Sequence, residues 1–198
     1  VASSGTLLVA DGNVFREFVT VHAGSAGGVT RIGSGCLLMA YSHVGHDCTI
    51  EDSVELANGV QLAGHVRVEQ RAGVGGLAGV HQFVRLGAGS FVGAGARVFR
   101  DVLPFCLAAG DRARHYGLNV VGLRRQGIAA DRRAELARAV RLLLGPRPLA
   151  EAAELLRRGA ASSPELQHLL DFAAASTRGV CRGVRRLEGR AEDCRTVQ

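Results

Sequence analysis

The sequence of 198 residues contains no lysine and no tryptophan, and only 5 % of it is aromatic. All 24 basic residues are arginine, which excludes a Schiff-base lysine or a P-loop lysine within it. A core built on large aromatic side chains is excluded too. The five cysteines, at 36, 48, 106, 181 and 194, are odd in number, and no two stand in a CxxC spacing. A disulfide framework or a structural zinc site is therefore not expected, and a reducing cytoplasm fits best. No apolar run reaches the roughly 18 residues that a membrane-spanning helix needs. The opening Val-Ala-Ser-Ser-Gly has neither the charged nor the apolar region of a signal peptide. It also lacks a methionine, so the chain reads as processed or truncated.

What is plentiful is glycine, 27 residues, about twice the usual share of ~7 %. Hydrophobic residues make up 47 %, enough to bury a core. The net charge is +6, and no interleaving of aromatic and basic residues or DNA-binding motif points to nucleic acid.

Glycine and the aliphatics fall into a repeat. Stepping by six from Ile32 gives Leu38, Val44, Ile50, Leu56, Leu62, Val68, Val74, Val80, Leu86, Val92 and Val98, all Val, Ile or Leu. Four residues after each stands a small or β-branched residue, from Cys36, Ser42 and Cys48 to Val102. This is the hexapeptide period of a parallel β-helix, in which two residues of each hexad point inward and stack on those of the next coil. Glycines are expected to relieve the corners by adopting positive φ. With three hexads per coil, residues 18 apart lie above one another at roughly the 4.8 Å spacing of neighbouring strands, so 32–103 makes four coils. Val9, Phe15 and Val21 keep the spacing in another register, and the stretch His22–Gly28 (HAGSAGG) is read as a register-shifting loop.

From about Arg112 the pattern becomes helical. Asp131–Leu144 carries apolar residues at 136, 140, 143 and 144 and stops at Gly145-Pro146. Leu149–Arg158 gives a second helix, and Ser163-Pro164 caps a third that runs to about Ala175. The tail from Arg178 is basic and weakly patterned. The domains expected are thus 1–111, a β-helix with regular hexads at 32–103, and 112–198, α-helical with a basic tail.

The repeat does not call for histidines, yet four stand at 43, 46, 65 and 81. On the coil arithmetic His46, Gly64 and Gln82 form one column, with His65 and His81 beside it. Two chemistries compete. Three histidines on a β-helix can hold zinc, as in β-helical carbonic anhydrases. Alternatively one histidine acts as general base in acyl transfer, and a glycine amide stacked on it meets the oxyanion. The glycine favours acyl transfer. Cys36 and Cys48, at inward positions, are read as core filling.

Met39–Cys48 (MAYSHVGHDC), Leu62–Val66 (LAGHV), Val80–Phe83 (VHQF), Ala109-Gly110, Tyr116–Arg125 (YGLNVVGLRR) and Asp171–Arg178 (DFAAASTR) together resemble the UDP-N-acetylglucosamine O-acyltransferases of lipid A biosynthesis. The resemblance covers about residues 8–183. It implies a left-handed parallel β-helix followed by a small α-helical C-terminal domain. It also implies transfer of an (R)-3-hydroxyacyl group from acyl carrier protein to the 3-hydroxyl of UDP-N-acetylglucosamine, in a cytoplasmic homotrimer with no metal and no dissociable cofactor. His46 matches the family's base, Asp47 its support and Gly64 its oxyanion amide. His43, His65, His81 and Gln82 match residues that line the substrate pocket, and Asn119 and Arg125 match residues near the uridine diphosphate. Ala94 occupies the wall position that sets acyl-chain length and implies a medium-to-long chain. The positive surface would steer the acidic carrier protein.

Departures from the family pattern are specific. Its earlier β-helix coils, with a sugar-contacting aspartate and a pocket lysine, have no counterpart here. Val121 stands where an acidic residue is common, and His22-Ala23-Gly24-Ser25 replaces an HRGT-like turn. Runner-up readings are the N-acyltransferase of UDP-3-O-acylglucosamine, a zinc hydratase, and an inactive β-helix used for assembly.

Overall fold

The computed structural model describes residues 4–159 and 163–183. All twelve aliphatic positions of the repeat are at most 3 % exposed, and their twelve small partners at most 1 %. Each hexad contributes a two-residue strand, and the strands stack into three parallel sheets. Sheet A runs through Thr6–Val9, Val29–Ile32, Thr49–Ile50, Arg67–Val68 and Arg85–Leu86. Sheet B starts at Val14–Phe15 and continues through Leu37–Leu38, Glu55–Leu56, Gly73–Val74, Phe91–Val92 and Cys106–Ala109 to Arg114–Leu118. Sheet C comprises Thr20–Val21, His43–Val44, Gln61–Leu62, Gly79–Val80 and Arg97–Val98. This is the hexapeptide β-helix expected from the period, with the left hand that the family resemblance implies.

From Arg31 on, the register is the 18-residue one: Ile32 pairs with Ile50, Leu38 with Leu56 and Val44 with Leu62. The first coil pairs instead at an offset of 23, with Val9 opposite Ile32, Phe15 opposite Leu38 and Val21 opposite Val44. The loop around His22–Gly28 therefore inserts five residues and leaves the aliphatics in register.

The role expected for the glycines holds in part: Gly12, Gly35, Gly59, Gly89 and Gly95 take positive φ at corners. Those that follow the aliphatic position are not the positive-φ corner residues. A Cβ on Gly45 would lie 2.8 Å from the Ala63 carbonyl carbon, and one on Gly75 2.6 Å from the Ala94 nitrogen. They are needed because the next coil passes too close for a side chain. Most positive-φ corners carry other residues, among them Tyr41, Asp47, His65, Leu77 and Phe83.

The expected boundary at 111/112 falls inside a hairpin: Arg114–Leu118 folds back antiparallel on Cys106–Ala109 and extends sheet B. Helical structure begins with α1, Val120–Arg125, within the stretch read from sequence only as a motif. Then follow α2, Ala130–Leu143, α3, Leu149–Arg157, and α4, Pro164–Ala174. Ser163 caps α4 by accepting from the Leu166 N–H, with Pro164 in its first turn. A second core of Leu103, Phe105, Leu123, Leu136, Leu169 and Phe172 closes the end of the β-helix.

Buried polar groups fasten this seam. His115 is 1 % exposed; its Nε2 accepts from the Leu103 N–H at 3.0 Å and its Nδ1 bonds the Cys181 carbonyl at 2.7 Å. Those roles require the neutral ring, and burial pushes its pKa down to about 4. Glu69 accepts from the Ala88 N–H, Arg85 and His168, which tie α4 to the β-helix. The four described cysteines are free and buried, Cys36 and Cys48 inside the stack. Of the basic tail, everything past 183, including Cys194, lies outside the described residues.

Candidate functional site

Three corners run the length of the β-helix, and the corner between sheets C and A carries the polar chemistry. Here Asp47, His65 and Phe83 stand one above another with φ of 59°, 59° and 63°. Left-handed backbone costs a residue with a Cβ roughly 1 kcal/mol, and such conformations gather at functional sites. Its effect is to turn these side chains off the wall toward their neighbours. The backbone holds them in a ladder: the His65 N–H donates to the His46 carbonyl at 2.9 Å, and the Phe83 N–H to the Gly64 carbonyl at 3.2 Å.

His46 Nδ1 lies 2.8 Å from Asp47 Oδ2. The Asp47 side chain is only 9 % exposed, and both its oxygens accept from the Ser25 N–H at 3.1 Å. Hydrogen bonds from His46 and Ser25 hold its pKa down to about 2. It is therefore ionised at neutral pH and can only accept. Nδ1 of His46 therefore bears a proton, and in the neutral ring that tautomer leaves the lone pair on Nε2. That nitrogen faces Gly64: a Cβ added there would lie 2.6 Å from it. Among the described residues the Gly64 N–H has no hydrogen-bond partner. A proton acceptor and a free amide donor thus stand side by side on an open face.

The other histidines support or extend this corner. His65 Nε2 is 3.8 Å from Asp47 Oδ2. Its ring meets His46 edge-on, centroids 5.1 Å apart, and stacks on Phe83 at 4.6 Å. His43, on sheet C, bonds the Thr20 hydroxyl through Nδ1 at 2.8 Å and packs edge-on to His22. Burial, and then the neighbouring His22, lowers its pKa. His81 and Gln82 follow the strand Gly79–Val80 on the same corner, where Arg178 reaches to 3.3 Å from His81 Nδ1. The donor atoms of His46, Asp47 and His65 all lie within 4.8 Å of one another.

Three expected residues lie elsewhere in the chain. Ala94 is exposed on the corner between sheets B and C. Asn119 caps α1 by accepting from the Gly122 N–H, and donates to the Gly89 carbonyl at 3.1 Å, which places it against the corner between sheets A and B. Arg125 is exposed in the last turn of α1.

Sequence reasoning missed Ser25, which holds Asp47, and Thr30, whose hydroxyl accepts from the Asp47 N–H at 2.8 Å. Ser25 lies in the loop that shifts the first coil to a 23-residue offset, which hides it from an 18-residue register; Thr30 lies in the strand Val29–Ile32, one coil before Asp47, among residues that the hexad pattern does not mark. It also missed Phe83 as a stacking partner, although Phe83 stands 18 residues after His65.

Comparison with known proteins follows the same lines. A family model described as UDP-N-acetylglucosamine O-acyltransferase, domain 2, matches residues 101–181, and one for the bacterial transferase hexapeptide matches residues 30–64. An acyl-[acyl-carrier-protein]–UDP-N-acetylglucosamine O-acyltransferase of Alkalilimnicola ehrlichii is 49 % identical over 179 residues, covering 89 % of this chain and 69 % of its own length. That of Anaeromyxobacter sp. strain K is 44 % identical, with 89 % of this chain and 70 % of its own covered. The solved UDP-N-acetylglucosamine acyltransferase from Campylobacter jejuni superposes with a TM-score of 0.86 at 36 % identity, over 91 % of this chain and 71 % of its own.

Proposed function

The chain belongs to the acyl-[acyl-carrier-protein]–UDP-N-acetylglucosamine O-acyltransferase family, and on that footing we propose that it transfers an (R)-3-hydroxyacyl group from acyl carrier protein to the 3-hydroxyl of UDP-N-acetylglucosamine, the opening step of lipid A biosynthesis, in the cytoplasm. The observation that carries the mechanism is the placing of His46, with Nδ1 on the Asp47 carboxylate and Nε2 against Gly64.

His46 Nε2 removes the proton of the acceptor hydroxyl, and the oxygen attacks the thioester carbonyl carbon. Asp47 steadies the imidazolium that forms. The free Gly64 N–H meets the charge that develops on the carbonyl oxygen, a contact strongest in the tetrahedral intermediate. When the intermediate collapses, the C–S bond breaks and the carrier thiolate takes the proton back from Nε2. Since the thioester is itself activated, the residues complete the reaction with no metal and no dissociable cofactor. His65, His81, Gln82 and the half-buried His43 offer polar atoms along the same wall for the sugar nucleotide.

We assign Asn119 and Arg125 to the nucleotide and Ala94 to the acyl-chain pocket, and all three point to a homotrimer. Within one chain Asn119 and Ala94 sit at corners other than the one that carries His46, and Arg125 ends the helix that Asn119 caps. A closed ring of three parallel prisms sets a second corner of one copy against the first corner of the next. The arginine fork of Arg125 suits a diphosphate.

The test is acyl transfer by the chain as given, with and without His46→Ala. A fall of about 10²–10⁴-fold is expected from the loss of a general base. An equal rate in the variant would overturn the assignment of the base, and no transfer by either protein would overturn the reading.

A further inference from the structure

We propose that the catalytic pair is also a divalent metal site, in which His46, Asp47 and His65 hold a Zn²⁺ ion that switches the protein off. The proposal rests on the acyl-transfer reading for its consequence but not for its geometry.

Asp47 Oδ2 stands between two imidazole nitrogens, 2.8 Å from His46 Nδ1 and 3.8 Å from His65 Nε2, and each of the three residues offers a donor atom within 4.8 Å of the others. Zinc bound by N and O ligands at about 2.0–2.2 Å in a tetrahedron holds its ligands roughly 3.3–3.5 Å apart. The two separations from Asp47 Oδ2 straddle that value, so a small rotation of the two rings closes the site. The carboxylate is fixed in advance by the Ser25 N–H, and the His65 ring is set by its stack on Phe83. Both histidine side chains are partly open, 48 % for His46 and 39 % for His65, which leaves the fourth position to water.

The consequence follows from which nitrogen the metal takes. Acyl transfer needs the proton on His46 Nδ1 and the lone pair on Nε2. A metal on Nδ1 displaces that proton, and the neutral ring then carries its hydrogen on Nε2. The nitrogen beside Gly64 becomes a donor and can no longer accept the proton of the substrate hydroxyl. Three protein ligands and one water make a catalytic zinc site when the metal itself is the acid. In this arrangement the metal removes the base, so it inhibits.

The experiment uses the full chain stripped with EDTA. Titration with Co²⁺ is followed by the visible absorption of a tetrahedral site, and Zn²⁺ affinity is read by competition. Asp47→Asn and His65→Gln are each expected to weaken binding by tenfold or more, whereas His81→Gln leaves it unchanged. Acyl transfer should fall along the same curve as Zn²⁺ binds and return with EDTA. Binding that survives Asp47→Asn and His65→Gln, or binding without inhibition, would overturn the proposal. Activity that requires Zn²⁺ would overturn both it and the base assignment. If the chain transfers no acyl group, the acyl-transfer reading fails, and the binding curves of the variants still decide the site.

Discussion

Two histidine–carboxylate pairs of nearly equal length stand in different regions of this molecule. His46 meets Asp47 at 2.8 Å on the corner between sheets C and A, and His168 meets Glu69 at 2.9 Å on the seam between the β-helix and α4. In both the carboxylate is nearly buried, 9 % and 5 % exposed, and the histidine half open. What differs is the surroundings. Glu69 also binds Arg85 and the Ala88 N–H, and Arg85 lies over the Phe172 ring at 4.0 Å, so every contact points inward and ties two parts of the fold together. At the corner, the second nitrogen of His46 faces a glycine with a free N–H. A histidine–carboxylate pair is thus no site by itself; the unused nitrogen and the open donor beside it make the difference.

Gly64→Ala breaks that difference most sharply. The new methyl would lie 2.6 Å from His46 Nε2 and 2.7 Å from Cε1, so the ring must leave its place. Gly64 is not among the glycines with positive φ, so alanine suits its backbone. Acyl transfer should fall by about 10²–10³-fold, as when a catalytic ring or oxyanion donor is displaced. The midpoint of thermal unfolding should move by only a few degrees. A loss of activity matched by a large loss of stability would show that Gly64 serves the stack rather than the reaction.

The same contrast explains what could be read from sequence. The interior was legible in full, because inward positions recur every six residues and must be aliphatic or small: all 24 are buried. The corner residues His46, Gly64, His65, His81 and Gln82 were legible because the 18-residue coil carries any spacing into space, and the family motifs marked the same positions. Ser25 was not, since it sits in the five-residue insertion that precedes the regular coils, and Thr30 was not, since the repeat marks no role for its position ahead of Ile32. The seam was not legible either. His115 and His168 bond partners 66 and 99 residues away, through the packing of helices whose placement no local period encodes. Nor could α1 be seen, a helix of only six residues ending in two arginines.

His115 sharpens the comparison from the buried extreme. Its folded pKa of about 4 lies below the ordinary 6.5, so between those values the unfolded chain binds a proton that the folded chain does not. Falling pH therefore favours unfolding, and stability should decrease by about 3 kcal/mol between pH 6.5 and pH 4, at 1.36 kcal/mol per pH unit. In His115→Gln, which keeps an acceptor and a donor but cannot titrate, that part of the slope should vanish from denaturant unfolding measured across the range. An unchanged slope would assign the acid sensitivity to carboxylates instead.

His168 carries the smallest effect and the opposite sign. Its bond to Glu69 is the chief cause that raises its pKa, against the pull of burial. Burial works to raise Glu69 as well, but the bonds from His168, Ala88 and Arg85 hold it below its ordinary value. A histidine raised by its partner contributes stability that is complete below its unfolded pKa and is lost as pH rises through the folded one. His168→Gln keeps a hydrogen-bond donor but no charge. It should cost about 1–2 kcal/mol at pH 6, a hydrogen bond to a charged group discounted for a half-open pair. Toward pH 9 the gap between wild type and variant should shrink, because the wild-type ring has then lost its proton too. Acyl transfer should not change at either pH, since His168 bonds Glu69 and makes no hydrogen bond to the corner that carries His46. A stability gap that stays constant from pH 6 to pH 9 would mean that the pair holds α4 by shape alone. A drop in transfer without a drop in stability would join the two histidine–carboxylate pairs into one machine and end the distinction between them.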